Sequence, residues 1–175
     1  GIEVLLMSDR IDEWLVSHLT EFDGKQLQSV TRGGLDLGDM DDAETKEAQE
    51  KLEKEFDTVV TRIKEALDGK VKDVKLSQRL TDSPACIVAD EDDMSSQMAK
   101  LMASVGQAVP DTLPIFEING EHDLVKHVAD EQDDEKFGQW VEVLCEQAML
   151  AERGSLKDPA SFVGRLNKLM LSLTK

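Results

Sequence analysis

This sequence has no tyrosine, and its few phenylalanine and tryptophan residues make up only 4% of 175 positions. It has two cysteines, four prolines and no apolar run long enough to cross a membrane. Bases are outnumbered by acids, 20 against 37, so the formal net charge is −17. That balance argues against a nucleic-acid or anionic-membrane surface, because both require basic patches. Cys86 and Cys145 lie far apart in apolar patterns, so we expect buried thiols in a reducing, cytoplasmic compartment rather than a disulfide.

What the sequence does have is enough apolar residues, 40% of the chain, to build a core for one domain or two small ones. Gly33, Gly34 and Gly38 punctuate an acidic stretch that we interpret as a linker, which divides the chain into residues 1–38 and 39–175. Because Gly1 and Ile2 already fall within a predicted buried strand, we expect a fragment of a longer protein.

The first region has the pattern of a β-α-β unit. The apolar run from Ile2 to Met7 is typical of a strand covered on both faces, and Gln26 to Thr31 predicts another. Between them a helix carries Trp14, Leu15 and His18 on one side. The unit is too small to stand alone, so we expect it to be the end of a larger α/β domain.

The second region predicts an α+β domain with a small three-stranded sheet and flanking helices. Its three candidate strands are Val71–Leu76, Ala85–Ala89 and Pro114–Ile118. A long helix precedes them over Asp42–Leu67, and a shorter one is predicted from about Asp93 to Val105. Another short helix carries Leu124, Val125 and Val128.

Two strongly patterned helices close the sequence, and we expect them to form a hairpin. The apolar residues of the first are Phe137, Trp140, Val141, Leu144, Ala148 and Ala151, and those of the second are Phe162, Val163, Leu166, Leu169, Met170 and Leu173. Gly154 ends the first helix, and Asp158 with Pro159 begins the second. Two copies could pair such hairpins into a four-helix bundle, or one hairpin could lie on the domain's own sheet. The pattern alone leaves both open.

One helix offers an unusual surface, because Met94, Met98, Leu101, Met102 and Val105 fall on a single stripe. Methionine side chains are flexible and polarisable, so such a stripe can repack against varied partners. The pattern alone nevertheless favours an ordinary core helix.

Motifs for catalysis or metal binding are weak. The three histidines do not have ligand spacing, and no phosphate-binding or nucleophile motif is present, so we expect no metal site and no catalytic residues. The alternative is a small α/β enzyme domain with a site near Asp9, Arg10 and His18.

Several separate segments resemble one family in order. Gly1–Trp14 and Leu19–Lys25 are similar to the end of the middle domain of the heat-shock protein 90 chaperones, of the bacterial high-temperature-protein-G type. The segments similar to the C-terminal domain of that family are Val71–Lys75, Arg79–Ala85, Asp93–Leu101 and Gln147–Gly154. The resemblance covers nearly the whole chain except the acidic linker.

The resemblance implies a homodimerisation and client-contact fragment of a cytoplasmic, ATP-dependent chaperone. Its partners would be a second copy, unfolded or partly folded clients and other chaperones. ATP and Mg would belong to the full-length protein and no cofactor to this fragment, which would not be an enzyme. The implied client-contact residues are Glu13, Trp14, Met94, Met98, Leu101 and Met102. The implied dimer interface, a four-helix bundle, comprises Trp140, Leu144, Phe162, Leu166, Leu169, Met170 and Leu173. The methionine helix would then be exposed, against the core-helix interpretation.

Overall fold

A computed structural model describes residues 4–9, 11–27, 29–30, 43–90, 102, 104–107 and 112–173. The described residues form five helices and five strands, in the order α1 Asp12–His18, β1 Glu21–Phe22, β2 Lys25–Gln26, α2 Ala43–Ala66, β3 Asp73–Leu76, β4 Ala85–Val88, β5 Ile115–Ile118, α3 Asp123–Ala129, α4 Asp134–Arg153 and α5 Pro159–Ser172. The predicted linker at 33–38 and most of the predicted methionine helix lie outside these ranges.

The first region is not the β-α-β unit that the sequence predicts. Residues 4–8 adopt no strand, and the side chain of Leu6 is 92% exposed. A strand needs a neighbour to supply hydrogen bonds, and within the described residues none pairs with this run. Among the described residues of the second predicted strand, only Gln26 belongs to a strand, β2, which pairs antiparallel with β1 through a tight turn at Asp23 and Gly24, both at positive φ.

The three-stranded sheet is present as predicted, with the strand order β3-β5-β4. The central strand β5 runs parallel to β3 and antiparallel to β4, with Phe116 opposite Val74 on one side and Ile87 on the other. All four residues of β5 are buried, which explains its nearly continuous apolar sequence. The predicted α+β class is therefore confirmed at this level.

Helices α2 and α4 cover the sheet. Helix α2 packs against β3, α4 packs against β4, and the two helices also contact each other. From α2 the side chains of Phe56 and Ile63 are buried, since they lie seven residues apart on one face. Gly69, at φ +70°, lies within the turn at residues 67–70 that follows α2. The core therefore lies between the sheet and these two helices.

The closing hairpin begins and ends where its capping residues predict. At the start of α4, Asp133 Oδ1 accepts a hydrogen bond from the Lys136 amide at 2.9 Å. Gly154, at φ +76°, terminates the helix in the left-handed conformation. Asp158 Oδ1 then accepts from the Ser161 amide at 3.0 Å, and Pro159 occupies the first turn of α5.

Helix α2 supplies a direct test of this packing. We expect Ile63→Ala, at a position 2% exposed, to lower the free energy of unfolding by about 2–5 kcal/mol, because the surrounding core cannot fully close the cavity. The matched control Glu65→Ala, on the exposed side of the same helix, should change it by less than about 0.5 kcal/mol. Urea unfolding followed by circular dichroism measures both. Equal midpoints would contradict the packing of α2 on the sheet.

Candidate functional site

The apolar residues of α5 form two adjacent stripes rather than one. The inner stripe, Phe162 and Leu169 with Arg165 between them, faces the chain's own core, and both apolar side chains are buried. The outer stripe is Val163, Leu166, Met170 and Leu173. In it Met170 is 56% and Leu173 62% exposed, and Leu166 is half-buried at the border with the core. The outer stripe is thus an apolar surface that the described chain does not cover.

The predicted interface residues divide along the same line. Trp140 and Leu144 of α4, together with Phe162 and Leu169 of α5, lie in the chain's own core, so they support the hairpin from inside. Leu166, Met170 and Leu173 lie on the outer stripe. Sequence reasoning left out Val163, which is 50% exposed, although its spacing of seven residues to Met170 places it there.

Ion pairs bind the two helices of the hairpin together. Arg165 of α5 lies against two glutamates one turn apart on α4: its Nε is 3.2 Å from Glu142 Oε2, and its Nη2 donates to Glu146 Oε1. The hydrogen bond to Glu146 raises the pKa of Arg165 above its ordinary value. Lys70, beyond the end of α2, pairs with Glu142 as well.

A second exposed apolar surface lies in the first region. This N-terminal apolar surface comprises Val4, Leu5, Leu6, Ile11, Trp14, Leu15 and Phe22. Trp14 is 63% exposed and lies 4.6 Å from the ring of His18, centroid to centroid. So many exposed large apolar side chains in one short segment are unusual for a surface that faces only water.

Most of the other predicted client-contact residues lie outside the described ranges. Met94, Met98 and Leu101 lie outside the described residues, as does the side chain of Glu13. Met102 is half-buried, whereas Val105, three residues further along the same predicted stripe, is 65% exposed.

The alternative enzyme site does not gain support from the structure. Arg10 lies outside the described residues. The Asp9 amide donates to Asp12 Oδ2 at 2.7 Å, and His18 Nδ1 lies 2.9 Å from the Trp14 carbonyl oxygen. Both contacts are local to α1 and its entry turn, which is typical of helix capping rather than of a catalytic arrangement.

Burial also makes the two cysteines poor nucleophiles. Desolvation raises the pKa of Cys86 to about 11 and that of Cys145 to about 12, so both are protonated at neutral pH. Within the described ranges, no three histidine, cysteine or acidic side chains converge as metal ligands. No described helix combines the length and apolarity that a membrane span requires.

Sequence reasoning missed a buried ion pair at the sheet. Glu117, in the middle of β5, accepts from Arg79 Nε at 3.0 Å and Nη2 at 3.1 Å, and from Ser77 Oγ at 2.9 Å. Arg79 Nη1 also donates to the carbonyl oxygen of Val30, so this side chain ties the first region to the sheet. A lone carboxylate within the apolar run Pro114–Ile118 is the signal that predicts a buried cationic partner.

Comparison with known proteins gives a consistent result over the whole chain. A family model described as "Hsp90 protein" matches residues 1–175. A relative named chaperone protein HtpG from Colwellia psychrerythraea is 92% identical over 175 residues, and proteins of the same name from Pseudoalteromonas translucida and Shewanella loihica are 67% and 60% identical. In each comparison all of this chain is covered, but it spans only 27–28% of the relative's length.

Substitution by serine should lower the stability much more on the inner stripe of α5 than on the outer stripe. Leu169→Ser, on the inner stripe, should lower the free energy of unfolding by about 3 kcal/mol or more, because it leaves a cavity and buries a hydroxyl. Met170→Ser, on the outer stripe, should change it by less than about 1 kcal/mol. Urea unfolding at the lowest practical protein concentration keeps self-association small. Similar losses in both variants would show that the outer stripe belongs to the core.

Proposed function

Because this chain belongs to the Hsp90 protein family, we propose that it is the homodimerisation and client-contact module of an ATP-dependent chaperone. The observation that carries this proposal is the outer stripe of α5, which remains exposed although the rest of the hairpin is well packed. The relatives are chaperones by name, and this chain corresponds to about a quarter of their length.

Self-association through the outer stripe is supported by its size and position. Burying a large apolar side chain contributes roughly 1.5–3 kcal/mol when it is fully exposed beforehand. The four residues of the outer stripe are only about half exposed, so burying them in both copies would contribute roughly 6–12 kcal/mol, comparable with the ~4–15 kcal/mol that association costs in lost freedom. A two-fold axis would bring each stripe against its twin and make a four-helix bundle from two hairpins.

The two arrangements that the sequence left open are compatible in this proposal. Helix α4 packs on the chain's own sheet through β4, and α5 packs on α4. The hairpin is thus anchored to its own domain by α4, while α5 keeps one side for a second copy.

The proposal places the end of a middle domain at residues 1–38 and the dimerisation domain at 39–175. In support, the buried apolar residues of the described chain all lie between Phe56 and Leu169. The first region contributes none of them, as expected if its own core is supplied by another part of the whole protein.

Client contact is assigned to Glu13 and Trp14 of α1 together with the methionine helix, whereas we expect the apolar run Val4–Met7 to pack against another part of the whole protein. Trp14 supplies a large exposed ring, and Ile11 and Phe22, which are near it in the sequence, are exposed apolar residues as well. Unfolded chains expose apolar segments of varied sequence, which such a surface can bind without a fixed geometry. In a dimer two copies of this surface would be linked, so a client that bridges them would bind with avidity. The contributions of Glu13, Met94, Met98, Leu101 and Met102 remain predictions.

The remaining parts of the proposal follow from the family. This region acts as a non-enzymatic part of a cytoplasmic protein, and ATP and Mg are bound elsewhere in the whole chain. A second copy, unfolded or partly folded clients and other chaperones are its partners. The net charge of −17 favours such partners over nucleic acids and anionic membranes.

Dimerisation can be tested with charges on the outer stripe. We expect sedimentation equilibrium of the 175-residue chain to give a dimer, and Val163→Glu with Met170→Glu to give a monomer, because four carboxylates would be buried at the two-fold axis. The control Leu171→Glu changes an equally exposed apolar residue on another side of α5 and should leave the dimer intact. A wild-type chain that never exceeds the mass of one copy would refute the proposal.

Client binding can be tested by fluorescence anisotropy with a labelled, permanently unfolded protein. Trp14→Ser with Phe22→Ser should weaken binding by about tenfold, since two large exposed apolar side chains are lost. Met98→Ser with Leu101→Ser should weaken it as well while leaving folding and dimerisation intact. The control Leu113→Ser, also at an exposed leucine, should bind like the wild type. Unchanged affinity in both test variants would contradict the assignment.

A further inference from the structure

The inner stripe of α5 contains a cation where an apolar residue would be expected. Arg165 lies three residues after Phe162 and four before Leu169, on the side of α5 that faces α4. Its side chain is only 24% exposed. Removing a guanidinium from water is costly, so its presence here requires partners that hold it well.

Those partners form a two-pronged site on α4. Glu142 and Glu146 are four residues apart and therefore stand one above the other on the same face of the helix. Nη2 of Arg165 hydrogen-bonds Glu146, and Nε lies 3.2 Å from Glu142. Arg165 Nε has no hydrogen-bond partner among the described residues, so its contact with Glu142 is a charge pair only, and the second oxygen of Glu146 is likewise buried without a partner there. This carboxylate therefore depends on Arg165 for its compensation.

The ion pair of Arg165 restrains the rotation of α5 about its own axis, which the apolar contacts restrain only weakly. Burial of Phe162 and Leu169 is favourable but non-directional, so it tolerates some rotation of α5 about its own axis. A guanidinium that hydrogen-bonds one carboxylate through Nη2 and lies beside a second carboxylate one turn away on α4 has a narrower range of orientations than an apolar side chain. Since Leu166 follows Arg165 directly, the rotation that Arg165 fixes also sets the direction of the outer stripe.

We propose that Arg165 is a positioning residue for self-association, which orients the outer stripe of α5 toward a second copy of the chain. This inference rests on the proposed function, because it needs a dimer to act on. Arg165 would thus affect the strength of an interface that it does not itself contact.

Helix α5 also provides a matched control. Lys168 pairs with Glu135 of α4 at 2.9 Å, so it too links the two helices. Its hydrogen bond lowers the pKa of Glu135, but the two side chains are 64% and 76% exposed. Exposed pairs restrain geometry weakly because water and salt compete for both charges. Removing Lys168 therefore tests the loss of an inter-helix ion pair without the loss of the buried one.

The test measures the dimer dissociation constant of the 175-residue chain by sedimentation equilibrium. Arg165→Met should raise it about tenfold or more, because the apolar stem remains while the oriented fork is lost. Arg165→Lys keeps the charge without the fork and should fall between Met and the wild type. Lys168→Met should change the constant less than about twofold.

Monomer stability is measured separately, with the same substitutions in a background that carries Val163→Glu and Met170→Glu. In that background the urea midpoint of Arg165→Lys should be close to that of the chain that keeps Arg165, because a positioning residue affects the dimer and not the stability of the monomer. A loss of monomer stability in proportion to the loss of dimer would show that Arg165 merely supports the fold and would overturn the inference. If Arg165→Met fails to fold, the milder Lys variant decides between these outcomes.

The remaining outcomes separate this inference from the function on which it rests. A wild-type dimer with an unchanged dissociation constant in both Arg165 variants overturns the positioning role and leaves the proposed function standing. A wild-type chain that stays monomeric overturns both together. An equal effect of Lys168→Met and Arg165→Met would also refute the inference, since any inter-helix charge would then serve.

Discussion

The packing of α4 is the constraint on which the rest of the structure depends. This helix contacts β4 on one side and α5 on the other, and its residues Val141, Val143 and Leu144 are almost completely buried. A helix covered on two sides must be apolar over most of its circumference, and it leaves the next helix as the outermost layer. One side of α5 therefore packs on its own domain, and the other side remains exposed.

Much of the second region could be predicted from local chemistry. The ends of α4 and α5 follow from Asp133, Gly154 and Asp158, whose preferences for caps do not depend on distant residues. The small sheet was predictable because its apolar runs are bounded by turns. The strand prediction for the first region was wrong for the opposite reason. An apolar run such as Val4–Met7 becomes a strand only beside another strand, and the run itself does not determine that neighbour.

The candidate site was predictable in outline but not in detail. A stripe of apolar residues marked α5 as a packing helix, yet it could not show which positions its own domain would use. Leu169 is buried and Met170 is exposed because of contacts with residues distant in the sequence, which the pattern of α5 does not reveal. Arg165 and Glu117 carry a related lesson, because each is a charge within an apolar pattern and each has its partner in a different element. A charge within an apolar pattern therefore indicates a partner of opposite charge in another element.

The protonated thiols have a consequence for how this region responds to oxidants. Oxidants act mainly on the thiolate form, and burial keeps both Cys86 and Cys145 in the neutral form. Neither thiol is therefore a ready site for oxidation or for a disulfide bond with another chain.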